Sequence, residues 1–192
     1  MPEQRRTFGV TEIGVVDRAG WSDDATTEEG EYFDPFAESI IEIYPEWAAG
    51  LAGIEEFSHL AVVLFMNRAE PRRPDDPLTH RVESRDDMSE VGLFATRSPR
   101  RPNPLGLSYP RLLGRDGALL RVSGLDAWPG TPVLDVKGYY LRDELQPDAT
   151  APDWLQRLWA RHDAERGPHR YRHGNRGQSA EGTEDVVDNG RA

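Results

Sequence analysis

Residues 96–106, TRSPRRPNPLG, bring three arginines, a serine and an asparagine together with three prolines. Proline fixes its own backbone torsion and removes a hydrogen-bond donor, so a strand entering through the apolar VGLFA cannot continue through this string. A stiff, irregular segment holds Arg97, Ser98, Arg100, Arg101 and Asn103 as fixed donors around an anionic or polar ligand, with little ordering entropy left to lose on binding. The alternative is a proline-rich connection whose arginines only solvate it. A second cluster lies in residues 123–140, SGLDAWPGTPVLDVKGYY. Asp135 and Lys137 are one residue apart on a strand and therefore project from the same face. A carboxylate and an ammonium so placed can handle a proton and a charge within a site, or can form a surface ion pair worth under about 1 kcal/mol. Lys137 is the only lysine in the chain.

These residues need rigid elements to hold them. FGVTEIGVV (8–16) and FAESIIEIY (36–44) read as strands, with a polar, acidic loop over residues 17–34 between them. PEWAAGLAGIEEF suggests a short helix or a pair of turns opened by Pro45. SHLAVVLFMN (58–67) is continuously apolar at its centre and reads as a strand buried on both faces. The three prolines of AEPRRPDDPL demand a loop. Beyond it, HRVES, VGLFAT, GLSYPRLLG, ALLRVSGL and VLDVKGYYL follow as short strands, with Asp116 and Gly117 marking a hairpin between the third and fourth. This spacing predicts a mainly β fold, a single-domain antiparallel β-barrel over residues 1–150 with short helices. A C-terminal helix over 151–167 follows, its DWLQRLWARHDAER placing Trp154, Leu155, Leu158 and Trp159 at helical spacing. Residues 168–192 have the composition of a disordered polar tail.

Composition narrows the chemistry. The 192 residues suit one domain. Cysteine is absent, which removes disulfides, thiol nucleophiles, Cys-ligated zinc and iron–sulfur chemistry. Thirty-four acidic against 23 basic residues leave a net charge of −11, which disfavours a broad nucleic-acid footprint and leaves room only for a local basic patch. The sequence holds no apolar run long enough for a membrane span and no apolar signal core after MPEQRRTF, so a cytoplasmic protein without membrane association is expected. Walker, dinucleotide-binding, H-E-x-x-H and G-x-S-x-G patterns do not occur. His162, His169 and His173 cluster loosely near the helix end and suit a solvated tail better than a metal site, so no metal is expected.

Three stretches carry a family resemblance: FSHL at 57–60, GLFATRSPRRPNPLGLS at 92–108 and GLDAWPGTPVLDVK at 124–137. Over roughly residues 8–141 the chain resembles the TsaA-like, TrmO-type family. That resemblance implies a β-barrel that binds S-adenosyl-L-methionine without a Rossmann domain, acts on N6 of threonylcarbamoyladenosine in tRNA, and assembles as a homodimer. Carried over by position, it implies cofactor contacts from Asn67, Arg68, Arg97, Leu107, Ser123, Gly124, Leu125 and Asp126. It also implies a substrate side shaped by Arg100, Arg101, Asn103, Asp135, Lys137 and Tyr139. For such a transfer Asp135 and Lys137 are the candidate catalytic pair, either organising loss of the N6 proton or stabilising charge on the carbamoyl oxygen. The chain departs from the family pattern in several places: TTEEGEY (26–32) stands where an R-Q-P-G loop is usual, Asn67 and Arg68 stand where His-Gln is usual, the basic-proline element before the G-V-F-A-T strand appears only as THRVESRDD (79–87), and Gly138 replaces the proline of D-I-K-P-Y. A methyltransferase of the same fold acting on a small molecule, and a non-catalytic cofactor- or tRNA-binding module, are the rival readings.

Overall fold

The computed structural model describes residues 6–19, 21–23, 31–33 and 37–166. The tail at 168–192, with His169 and His173, and most of TTEEGEY lie outside these residues. In chain order the strands are β1 (Gly14–Arg18), β2 (Trp21–Asp23), β3 (Glu31–Phe33), β4 (Glu38–Ile43), β5 (Leu60–Phe65), β6 (Thr79–Arg81), β7 (Glu90–Gly92), β8 (Leu105–Ser108), β9 (Arg111–Asp116), β10 (Leu119–Ser123) and β11 (Pro132–Gly138). Two helices follow, α1 (Leu141–Glu144) and α2 (Asp153–Arg166). Seven strands form one antiparallel sheet in the order β8-β5-β11-β1-β4-β10-β9; β2 pairs with β3 and β6 with β7 in two small hairpins.

Alternation at period 2 builds the core. Leu60, Val62 and Leu64 of β5, Ile41 and Ile43 of β4, and Leu120 and Val122 of β10 point to one side and are buried. Leu51, from the 3-10 turn Ala48–Leu51 that the PEWAAGL segment forms, joins that core. The opposite side of β5 is only partly covered, since Val63 is half-buried and Phe65 is 37% exposed. The expectation of a strand buried on both faces is therefore corrected: an antiparallel sheet leaves one face open where no helix packs on it. The first strand also begins later than expected, at Gly14, leaving Phe8 and Val10 exposed.

The expected barrel is not closed. The sheet order ends on β8 and β9, which are consecutive in the chain and separated by Tyr109 and Pro110. Pro110 has no N–H to give a ladder. Its carbonyl accepts from Leu60 N–H at 3.0 Å, Leu112 N–H donates to Ser58 O at 2.9 Å, and one isolated bridge links His59 with Arg111. The start of β9 thus leans on the residues before β5 and then leaves to pair with β10. That pairing is the hairpin expected from sequence, Asp116 facing Leu119, with Gly117 at φ +59°, where a side chain would be strained.

α2 occupies residues 153–166 of the expected 151–167, residue 167 lying outside the described residues, and it serves a separate small core. Trp154, Leu155 and Leu158 pack on Val82, Met88 and Val91 around the β6–β7 hairpin. Trp159 was expected on the same stripe and is instead 48% exposed. At 100° per residue it lies on the flank of the face centred on Leu158. Arg161 Nη2 donates to Asp87 at 2.7 Å, and His162 Nε2 lies 2.7 Å from Glu83 Oε1, so polar contacts fix the helix on the hairpin. Among the described residues no helix is long and apolar enough to cross a membrane.

Candidate functional site

The topology decides where the motifs meet. Both neighbours of β5 run antiparallel to it, with Val133 opposite Leu64 on one side and Leu105 opposite Phe65 on the other. The chain that precedes β11 and the chain that precedes β8 are therefore both delivered to the end where β5 stops. The turn before β11 carries the WPG motif, and the segment before β8 is the proline string. Asn67 Nδ2 donates to Gly130 O at 3.1 Å, and the Arg68 guanidinium sits 4.2 Å from the Trp128 ring centroid, a cation–π geometry. Met66 N–H donates to Pro104 O at 2.8 Å. Three segments distant in sequence share one corner of the sheet.

Within the proline string the arginines have different tasks. Arg101 Nη1 donates to Thr96 O at 3.0 Å and to Ser98 O at 3.4 Å, so it braces its own loop. Arg100 pairs with Asp76 at 3.3 Å and Glu70 at 3.8 Å, which ties the string to the loop after β5. The Arg73 backbone N–H and then the nearby Arg100 charge hold the Asp76 carboxyl below its usual range. Arg97 and Asn103 are exposed, and Arg97 forms no ion pair with a described residue, which leaves it as the string's open cation.

The residues after β10 are anchored rather than displayed. Leu125 is 1% exposed with its side chain in the main core, so its backbone is its one means of meeting a ligand. Asp126 N–H donates to Ser108 Oγ at 3.3 Å on β8, Ser123 is half-buried, and Gly124 makes the turn between strand and core at φ +78°.

The remaining expected residues lie on the outward face of β8, β5 and β11. A bulge at Leu134 shifts the register so that Val133 faces inward with Leu64 while Asp135 faces outward with Val63. Val63 in turn faces Leu107, so Leu107, Val63 and Asp135 form one cross-strand row. Lys137, opposite Ala61, is in the next row and its ammonium pairs with Asp135. Tyr109 lies opposite Ala61 in the same row as Lys137, and the row after that holds Arg111, His59 and Tyr139: Tyr139 N–H donates to His59 O at 3.0 Å, and the Tyr109 ring meets the Tyr139 ring edge-on across the two rows at 5.6 Å. A shallow groove of about 420 Å³ opens on this face, lined by Val10, Thr11, Ile13, Trp47, Val63, Leu105, Leu134 and Asp135. Its volume is within the range of small-molecule sites. It runs from Leu105, at the end of the proline string, to Asp135 on the lysine strand, a span of about 10 Å across two strand spacings.

The expected residues thus form two sets. Asn67 and Arg68 join the proline string at one end of β5, while Lys137 and Tyr139 lie toward the other, roughly 20 Å away along the strand at about 3.3 Å per residue. Leu107, Asp135 and the groove lie between. Sequence reasoning passed over Trp128, Trp47, His59 and Tyr109. Trp128 and His59 sit inside the quoted motifs, but their partners across the sheet are not visible in a linear reading. Among the described residues no group of three or more His, Asp or Glu side chains is placed to hold a metal ion.

The model of the tRNA-methyltransferase O N-terminal domain matches residues 25–143. The chain belongs to the TrmO family. A probable S-adenosyl-L-methionine-binding protein of Archaeoglobus fulgidus is 50% identical over 99 residues, covering 52% of this chain and 25% of that protein. The mouse tRNA (adenine(37)-N6)-methyltransferase is 36% identical over 92 residues, covering 46% of this chain and 20% of the mouse protein. A crystal structure of TrmO from Pseudomonas aeruginosa superposes with a TM-score of 0.57 at 27% identity, covering 83% of this chain and 75% of that one. The likeness to the two curated relatives therefore spans a quarter of their length or less, and the family model's match takes in the proline string, the WPG turn and the lysine strand.

Proposed function

We propose that this TrmO-family chain is an S-adenosyl-L-methionine-dependent methyltransferase that methylates N6 of threonylcarbamoyladenosine in tRNA, in the cytoplasm and as a homodimer. The observation that carries the reading is the corner where Asn67, Gly130 and Pro104 meet, joined by the groove to Asp135. The proline string and the WPG turn meet there, while FSHL lies at the other end of β5. The names of the archaeal and mouse relatives, which specify a methyl-donor ligand and a tRNA adenine, support the two halves of the reaction.

The groove fits a cofactor of this kind. Apolar walls from Val10, Trp47, Val63, Leu105 and Leu134 suit the adenosine part, and the carboxylate of Asp135 suits a cationic sulfur. When bound, the cofactor would supply a methyl group activated as a sulfonium. The residues of the chain have the remaining tasks. An N6 nitrogen conjugated to a carbamoyl group gains nucleophilicity when its proton leaves, and Asp135 accepts that proton in the proposed mechanism. Lys137, held beside Asp135, stabilises charge on the carbamoyl oxygen. Arg97 binds an anionic group of the cofactor or substrate, with Asn103 and Tyr139 on the substrate side. Arg68, Leu107 and the backbone of residues 123–126 position the cofactor.

Dimerisation suits two features. The two sets of expected residues stand roughly 20 Å apart in one chain, and Phe65, Leu105 and Leu107 leave an exposed apolar strip between them that a second copy would cover. One observation favours the small-molecule rival: Arg100 is neutralised by Asp76 and Glu70, which reduces the cations open to RNA. A single assay separates the readings. Labelled S-adenosyl-L-methionine is incubated with the protein and with tRNA bearing or lacking the threonylcarbamoyl group. Label in the threonylcarbamoylated nucleoside alone is the expected result; label in a small molecule, or in nothing, overturns the proposal.

A further inference from the structure

The aromatic end of the outward face has no part in the methyl-transfer scheme apart from Tyr139. His59 precedes β5, Tyr109 follows β8 and Tyr139 follows β11, so three adjacent strands bring three rings to the same end of the sheet. The Tyr109 and Tyr139 rings meet at 83° with centroids 5.6 Å apart, and the His59 ring meets Tyr139 at 62° and 6.3 Å. Edge-to-face contacts of this kind fix ring orientations before any ligand arrives. Tyr109 is nevertheless 42% exposed. Arg111, bridged to His59 across the strands, is exposed, and the Lys137 side chain is 62% exposed one row away. Ordered rings on a sheet face, one of them open to solvent, with cations at the margin, match the chemistry that takes a single-stranded nucleic acid: bases stack on rings while phosphates meet the cations. On a chain of net charge −11, the local cations are the complementary feature.

We propose that Tyr109, set against Tyr139 and His59, is the surface on which an unpaired base of the RNA substrate stacks, with Arg111 contacting the adjoining phosphate. This rests on the tRNA reading above and places the RNA on the β9 side of the groove. The test uses the full chain and a short RNA hairpin carrying 2-aminopurine in its unpaired loop. Wild-type protein is expected to bind the hairpin and change the 2-aminopurine fluorescence by stacking. Tyr109→Ala is expected to lose that change and weaken binding roughly tenfold or more, whereas Tyr109→Phe retains both. Arg111→Gln is expected to bind less tightly and to lower the salt slope of binding by about one contact. Thermal melting confirms that each variant folds. Wild-type protein that binds no RNA overturns the tRNA reading and this inference with it. Wild-type protein that binds RNA while Tyr109→Ala retains full fluorescence change and affinity overturns the inference alone. A Tyr109→Ala variant that changes only its mass by light scattering assigns the face to a second copy and also overturns it.

Discussion

Gly138 is where this chain departs from the family's D-I-K-P-Y, and the structure supplies the reason a side chain is excluded. A Cβ built there would meet the Phe57 ring at 2.7 Å. Phe57 is held in turn, packed against the main core and stacked on Tyr140 at 5.8 Å. Gly138→Ala is therefore expected to destabilise the fold by about 1–3 kcal/mol through overpacking, read as a lowered melting temperature. At the proposed catalytic pair, Asp135→Asn and Lys137→Ala are each expected to lower turnover by roughly a hundredfold or more while the fold persists, because general acid–base and charge-stabilising groups contribute on that scale. Both side chains are substantially exposed, at 44% and 62%, so melting curves close to wild type are expected alongside the kinetic loss. Full turnover in either variant would remove that residue's assigned role. Reading Asp135 and Lys137 onto one face needed only the strand period of two. That Leu107 shares Asp135's row needed the register, which the Leu134 bulge alters and no local pattern announces.

α2 and the β6–β7 hairpin behave as a unit apart from the main sheet, since Leu158, Val82 and Met88 form a core of their own. Leu158→Ala is expected to weaken this docking by about 2 kcal/mol or more. Hydrogen exchange should then quicken across 153–166 and the hairpin while protection of β4, β5 and β10 stays unchanged. The docking also carries an acid limit. Hydrogen bonds from Arg85 and then Arg161 hold the Asp87 carboxyl below its ordinary value of 3.8. A carboxylate with a depressed folded-state pKa stabilises above the unfolded value, and that stabilisation is lost as pH falls through the folded one. Acidification through the carboxylate range is thus expected to loosen α2, read in tryptophan fluorescence, and Asp87→Asn should reduce that acid-dependent step. The extent of α2 was legible from its apolar spacing. Its partner was not, because the hairpin that receives it lies some seventy residues earlier and its strands are three residues each.

For the molecule as a whole, charge sets how RNA can be met. With a net charge of −11, any affinity for tRNA must come from a few local cations such as Arg97, Arg111 and Lys137. Roughly three such contacts to single-stranded RNA give a shallow log–log salt slope of about −2; a much steeper slope in a titration would point to more cations than these few among the described residues. The strands β4, β5 and β10, the β9–β10 hairpin, the helical stretch of α2 and the chemical character of the proline string were written in local sequence, because period, turn chemistry and proline act over a few neighbouring residues. Against expectation, β2 and β3 lie within the 17–34 loop, Tyr109 and Pro110 divide GLSYPRLLG into β8 and β9, and HRVES and VGLFAT turn into 3-10 geometry after β6 and β7. Tertiary structure alone decided the convergence of the proline string, the WPG turn and Asn67, since that depends on β5 lying between β8 and β11, strands some 45 and 70 residues further along. It also decided that the sheet stays open. Strand count allows closure, but Pro110 withholds an N–H at the seam, and hydrogen bonds between distant strands are not encoded by the periodicity of either one.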